Sequence, residues 1–514
     1  MLDTMADVGD LQHTNLARIL EPHESDRVAL ISRNIETTYG QLRDHVDRLR
    51  GGLAAAGVGK GDRVAILCGN NRYFVKAYFA ALGLGAVAVP LNPSSPALEI
   101  ERELAVVKPR LVLVGPSAMA EWALIDAASI ESIDTIVIAE GEPPAGARPL
   151  AELMAAEPVP IVDVDGDQIA AMMFTSGTAG LPKAAMLSHR NLLANIEQDL
   201  TARDHISEGD MVYAVLPMFH IFGLNVVLGV GMAVGATLIL VQRFDPSTAV
   251  QSIVQRQVTV VPGAPPMWVA FSHFDELPAD TFASVRLAVS GASRLAPAVI
   301  ERMRDRFGLE IHEGYGLTEA SPVVTSSAGM PVRPGSVGRV LVGQQVRLVG
   351  DDGDDVPVGD AGEVWVRGEN VFQGYLDEPE ATARVLVDGW LRTGDIATVD
   401  DDGYLYLVDR AKDLIIVSGF NVFPGEVEQV LQSHVDVAEV GVLGVPHPHH
   451  GEAVKAYVVL EEGADVDEEQ LIDYASDFLA RYKCPSKVIF VDQLPRNTAG
   501  KLIRRELEGT FLDG

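Results

Sequence analysis

Residues 174–183, F-T-S-G-T-A-G-L-P-K, place small hydroxyls, two glycines and a terminal lysine in one short stretch. That composition suits a phosphate group: hydroxyls donate hydrogen bonds, glycines let backbone N–H groups approach closely, and Lys183 adds positive charge. It is not a Walker A loop, which needs G-x-x-x-x-G-K-[ST]; here Pro182 precedes the lysine and Ala184 follows it. Taken alone, the stretch fits a surface turn as well as a nucleotide loop.

Hydrophobic periodicity shows which elements must position it. Residues 169–174 form an apolar run expected as a buried strand, and a helical pattern begins after Ser188, so the loop is expected between strand and helix. Upstream, residues 39–56 and 74–84 read as helices, with strands at 61–68 and 85–91. The alternation predicts parallel α/β layers, repeated from Gln168 to Ala320. Residues 335–406 change to short Val-rich runs broken by D-D-G-D-D, P-V-G-D-A-G and D-D-D-G turns, expected as a small antiparallel sheet or barrel. Beyond Arg410 the pattern is mixed: helices at 425–432 and 468–480, strands at 437–445 and 453–460. A boundary is placed near 409–412, giving domains 1–409 and 410–514.

The 514 residues allow two or more domains with large cores. A formal net charge of −32 argues against nucleic-acid partners, so a polyanionic ligand must enter through a local positive patch. Two cysteines, Cys68 and Cys484, make no disulfide framework and fit a reducing cytoplasm. The acidic start, M-L-D-T-M-A-D, lacks the features of a signal peptide. Residues 221–241 carry no charge and are long enough to span a bilayer, but four glycines and the absence of basic flanks favour a buried helix followed by a buried strand. In P-H-P-H-H, residues 446–450, the histidines match no zinc spacing and read as an exposed loop.

Five further segments accompany the opening loop: S-G-A-S-R-L-A-P (290–297), H-E-G-Y-G-L-T-E-A-S-P (312–322), W-L-R-T-G-D (390–395), D-R-A-K-D-L-I-I-V-S-G-F-N-V-F-P-G-E-V-E (409–428) and P-R-N-T-A-G-K-L-I-R-R (495–505). In this order and spacing the chain resembles the adenylate-forming superfamily, which includes acyl- and aryl-CoA synthetases, peptide-synthetase adenylation domains and beetle luciferases. The branch it resembles most is that of acyl-CoA synthetases, or fatty-acid–CoA ligases. The resemblance implies a large N-terminal domain of two α/β layered subdomains plus a small β-barrel-like subdomain, followed by a small mobile α+β C-terminal domain. It also implies a reaction. A carboxylate attacks the α-phosphorus of ATP, giving an acyl-adenylate and pyrophosphate, and a thiol then displaces AMP. Because negative charge crowds this transition state, catalysis is mainly positioning and neutralisation.

By resemblance, Thr175, Ser176, Gly177, Thr178, Gly180 and Lys183 hold the β- and γ-phosphates. Tyr315, flanked by Gly314 and Gly316, would stack on adenine, with the backbone of Gly291, Ala292 and Ser293 on the other side of the base. Thr318 would bond the α-phosphate; Glu319, with Thr178, would hold Mg²⁺. Asp395 and Arg410 would contact the ribose. Lys501 matches the lysine that bridges carboxylate and α-phosphate, and Lys412 falls at the hinge about which its domain swings. In the second orientation the turn at Gly419 would face the pantetheine arm of CoA.

The acyl pocket is expected along residues 216–224, L-P-M-F-H-I-F-G-L, with His220 abutting the carboxylate, although a core or helix-capping histidine fits the same position. No acidic residue stands there to pair with an α-amino group, which disfavours amino acids. Gly223, Gly229 and Gly231 suggest a groove for an alkyl chain or ring; a medium- to long-chain fatty acid is expected, with an aryl or short-chain acid as alternative. The compact 334–363 region lacks the insertion usual in fatty acyl-AMP ligases, so CoA is the expected acceptor and an acyl carrier protein the alternative; an oligomer is left open. Ala179, Ala184, Ser290 and Asp409 depart from the family's usual residues without removing a charged group. A non-catalytic acyl-nucleotide binder is the reading from a different class.

Overall fold

A computed structural model describes residues 15–175, 182–274, 276–350, 352–410, 415–417, 420–447, 451–479, 481–496, 502–504 and 506–507. The chain divides into two compact units, Met1–Gln345 with Val366–Leu391, and Val346–Trp365 with Arg392–Gly514.

The first unit holds two largely parallel sheets, as the alternating pattern predicts. The nine-stranded sheet has the order Arg339–Val340, Val323–Ser326, Ile311–Gly316, Leu287–Ser290, Val260–Gly263, Met211–Ala214, Thr237–Leu240, Val28–Ser32, Ile35–Thr38. The seven-stranded sheet has the order Ala147–Pro149, Thr135–Ile138, Leu111–Val114, Arg63–Leu67, Val87–Leu91, Ile169–Thr175, Lys183–Ser188. Strands covered on both faces read as unbroken apolar runs, and V-A-V-P-L of Val87–Leu91 is buried at all its residues. Residues 221–241 form the helical segments Phe222–Val230 and Gly231–Val234, followed by the strand Thr237–Leu240. Among the described residues, no helix is long and apolar enough to cross a membrane.

One expectation needs correction. The 174–183 loop joins two antiparallel strands, Ile169–Thr175 and Lys183–Ser188, with Thr175 directly opposite Lys183. The helix begins only afterwards, at His189–Asp199. Among the described residues, Lys183 therefore begins a strand and not a helix. Ser188 caps the helix through a capping box: its hydroxyl accepts the Asn191 N–H, and Asn191 Oδ1 accepts the Ser188 N–H. Ala184, a departure from the family pattern, is buried in the apolar core with Met172 and Leu376.

In the second unit, Phe420–Val422, Ile415–Val417, Gly451–Leu460 and Val437–His447 make an antiparallel sheet, with Lys487–Phe490 parallel to Gly451–Leu460. The helices Pro424–Gln432 and Glu468–Ser476 pack Val427, Leu431, Leu471 and Ala475 onto it.

Glu103, on the helix Ala97–Val107, is 7% exposed, and its Oε2 has no hydrogen-bond partner among the described residues. Burial first, and the charge of Glu99 second, push its carboxyl up to about 8. A raised folded value means that the native state keeps a proton the unfolded chain has lost, so this group makes stability fall as pH rises through that window. Glu103→Gln should flatten the decline of the thermal midpoint between about pH 5 and about pH 8; an unchanged pH profile would show that the carboxyl ionises freely.

Candidate active site

In the nine-stranded sheet, Ile311–Gly316, Leu287–Ser290, Val260–Gly263 and Met211–Ala214 are successive neighbours, and their carboxyl ends lead into the segments singled out above. Residues 215–220 follow the last strand, Gly291–Ser293 follow Ser290, and Thr318–Glu319 follow Gly316. The crevice beyond the carboxyl ends of parallel strands is where open α/β sheets bind ligands. Tyr315 is largely buried and pairs with Thr325. Gly316 lies so close to the Pro322 carbonyl that no Cβ would fit. A Cβ on Gly291 would lie 2.6 Å from the ring of Phe222, so the Phe222 ring lies close against the backbone expected to line adenine. Ala292 takes a left-handed conformation, φ 70°, which turns the chain out of the strand.

His220 makes local hydrogen bonds. Its Nδ1 accepts the Phe222 N–H at 3.3 Å, and its own N–H reaches the Pro217 carbonyl at 3.0 Å, so it caps the start of the helical segment. Of the glycines expected to line a groove for an alkyl chain or ring, Gly223 lies against the Leu216 and Pro217 carbonyls, Gly229 against Asn225 and Ile196, and Gly231 against Leu238.

Glu319 sits on a single turn, Thr318–Ala320, clamped from several sides. The Phe372 N–H donates to its carbonyl at 2.9 Å; Asn370 Nδ2 donates to the Ala320 carbonyl at 2.8 Å, and Asn225 Nδ2 to that of Ser321 at 2.7 Å. Asn191 completes the frame by donating to the carbonyls of Glu369 and Val371, at 2.7 and 2.8 Å. The strap 370–376 thus ties this turn to the strand Lys183–Ser188: the Gln373 N–H donates to the Met186 carbonyl, the Met186 N–H to the Gly374 carbonyl, and the Leu376 N–H to the Ala184 carbonyl. Tyr375, on the strap, donates its hydroxyl to Glu319 Oε1 at 2.6 Å. Lys183 Nζ lies over the same ring, 5.5 Å from its centroid. Burial, and then the adjacent Glu319 charge, raise the Tyr375 phenol well above its ordinary value, so it stays a donor. Sequence reasoning missed Tyr375; its only local signal is a Tyr after a glycine.

A carboxylate oxygen is the hard donor that Mg²⁺ prefers, and this cation commonly takes one or two carboxylates plus substrate phosphates. Glu319 fits: one oxygen is committed to Tyr375, and no bond to the other is found among the described residues. No cluster of three or more metal-binding side chains occurs among the described residues, and this chemistry needs none.

The second unit positions the ribose candidates. Asp395 is buried, on the strand Trp390–Val399, directly opposite Arg410 on the strand Leu405–Arg410. Its N–H is fixed by Thr393 Oγ1 at 3.1 Å, and Thr393 in turn donates to the Val364 carbonyl at 2.8 Å. Glu363, not singled out from sequence, accepts from the Gly394 N–H at 3.2 Å and pairs with Arg392 at 2.9 Å, so one carboxylate holds the turn in which Gly394 has φ 71°. Further on, Arg496 and Leu502 form an antiparallel bridge, and Arg504 grips both oxygens of Glu428. Ser176, Gly177, Thr178, Ala179, Gly180, Lys412, Gly419 and Lys501 lie outside the described residues, as do His449 and His450.

The family model "AMP-binding enzyme" matches residues 17–376, and that of its C-terminal domain matches residues 426–501. A feruloyl-CoA synthase of Amycolatopsis is 38% identical over 477 residues, covering 92% of this chain and 94% of that protein. A long-chain-fatty-acid–CoA ligase of Bacillus subtilis is 33% identical, covering 94% and 91%. Among solved structures, ATP-bound MatB from Rhodopseudomonas palustris superposes with a TM-score of 0.90 at 32% identity, covering 98% and 99% of the two chains. The architecture is that of adenylate-forming enzymes, with a large N-terminal and a small C-terminal domain. The chain belongs to the AMP-binding enzyme family, and within it is an AMP-forming acid–thiol ligase.

Proposed function

We propose that this ligase, which uses ATP, Mg²⁺ and CoA, activates an aryl carboxylic acid of the hydroxycinnamate type. The observation that carries the reading is the Phe222 ring laid against Gly291. An aromatic ring beside the expected adenylate favours a planar acid, because aromatic pairs gain from offset or edge-to-face contact. The similarity to feruloyl-CoA synthase supports the same reading. A medium- to long-chain fatty acid is the second reading, favoured by the similarity to the Bacillus subtilis ligase. An acyl carrier protein as acceptor is a further alternative.

In the proposed sequence, the acid's carboxylate oxygen attacks the α-phosphorus and pyrophosphate leaves. The backbone and hydroxyls of residues 175–180, with Lys183, hold the departing phosphates. Thr318 bonds the α-phosphate, and Glu319 holds the cation, which when bound neutralises phosphate charge. Tyr315 and residues 291–293 bracket adenine; Asp395 and Arg410 hold the ribose. Lys501 bridges the carboxylate and the α-phosphate, and His220 orients the acid. The CoA thiol then attacks the acyl carbon and expels AMP beside Gly419.

Acid-dependent ATP–pyrophosphate exchange over a panel of hydroxycinnamates, benzoates and graded fatty acids tests this. The kcat/KM for the best hydroxycinnamate should exceed that for any fatty acid by about tenfold or more, and Phe222→Ala should narrow the ratio. A fatty acid as best substrate, with the Phe222→Ala ratio unchanged, would replace this reading by the second.

A further inference from the structure

Resting on the ligase reading above, we infer that Tyr375 is a positioning residue that keeps Lys183 and Glu319 apart, so that both charges remain available to the ATP phosphates and their cation. The two side chains meet the same ring from different sides: Glu319 Oε1 accepts the hydroxyl at 2.6 Å, while Lys183 Nζ lies 5.5 Å from the ring centroid. Among the described residues neither side chain makes a salt bridge, although a flexible lysine and a carboxylate sharing one neighbour would ordinarily pair and cancel. A cation over a ring face keeps its positive charge, and a carboxylate held by a neutral phenol keeps its negative one.

The ring is itself held firmly. Tyr375 pairs with Ala185 across the strap, its N–H reaches Thr382 Oγ1 at 2.9 Å, and the Phe372 ring packs edge-on at 4.9 Å. Because the Phe372 N–H also holds the Glu319 carbonyl, one short strap fixes the carboxylate's backbone and its head group.

Titration calorimetry of the full-length protein with ATP, with and without Mg²⁺ and with no acid present, tests the inference without turnover. Tyr375→Phe keeps the ring under Lys183 but frees Glu319; the factor by which Mg²⁺ tightens ATP binding should fall about fivefold, with metal-free affinity little changed. Tyr375→Ala, which lets the lysine and carboxylate pair, should also weaken metal-free ATP binding, by about tenfold. In a Glu319→Gln background, Tyr375→Phe should add nothing, a coupling that a merely structural role would not produce. Wild-type Mg²⁺ dependence in Tyr375→Phe, or independent losses in the double variant, would overturn the inference and leave the ligase reading intact. Failure of the wild-type protein to bind ATP would overturn both.

Discussion

Lys501→Ala is expected to slow acyl-adenylate formation by about a thousandfold while leaving thioester formation from supplied acyl-adenylate within about threefold of wild type. The asymmetry follows from where charge develops. In the first step a carboxylate approaches an α-phosphate, two anions forced together, and a bridging ammonium stabilises that encounter more than it stabilises either reactant alone. In the second step the α-phosphate departs with AMP, and the attacking group is a thiol on the acyl carbon, so the lysine has little left to neutralise. Measuring the half-reactions separately, by pyrophosphate exchange and by acyl-CoA release from synthetic acyl-adenylate, checks the claim. Equal loss of both would mean that Lys501 supports the fold of its domain rather than one chemical step.

Glu319→Gln should lower kcat/KM for ATP by about a hundredfold, with partial recovery as Mg²⁺ is raised. The substitution is close to isosteric, and its amide oxygen can still accept the Tyr375 hydroxyl, so the turn Thr318–Ala320 should keep its place between Phe372 and Asn370. What disappears is the negative charge. A loss smaller than about threefold, or one insensitive to Mg²⁺, would remove Glu319 from the cation site.

How far sequence reaches into this protein depends on the kind of information each residue carries. Tyr315, Glu319 and Asp395 stand out in the sequence because each lies in one of its ordered motifs. The parallel layers were legible because strands such as Val87–Leu91 are buried along their whole length and carry no polar interruption. The strand Lys183–Ser188 was not. K-A-A-M-L-S lacks β-branched and aromatic residues, and its strand character comes from pairing with Ile169–Thr175 and with the strap at Tyr375. Tyr375 itself stands 56 residues from Glu319, and Glu363 stands 31 from Gly394; no local period encodes either contact. The same holds for Asn191, Asn195 and Asn225, which look like ordinary polar residues of helical segments. Once buried, their amides donate to carbonyls of segments 96 to 180 residues away and so frame the turn that carries Glu319. Gly229 and Gly231 carry less information: glycine marks a close approach, and sequence does not say what makes it.

The most direct test of the central claim is a single-turnover experiment in two stages. Wild-type protein is mixed with ATP, Mg²⁺ and the best acid from the panel, first without CoA and then with it. The account predicts acid-dependent release of pyrophosphate, with acyl-adenylate accumulating at about one equivalent per active site, and its conversion to acyl-CoA and AMP once CoA is added. Release of ADP and inorganic phosphate, or no acid-dependent release of pyrophosphate, would contradict it.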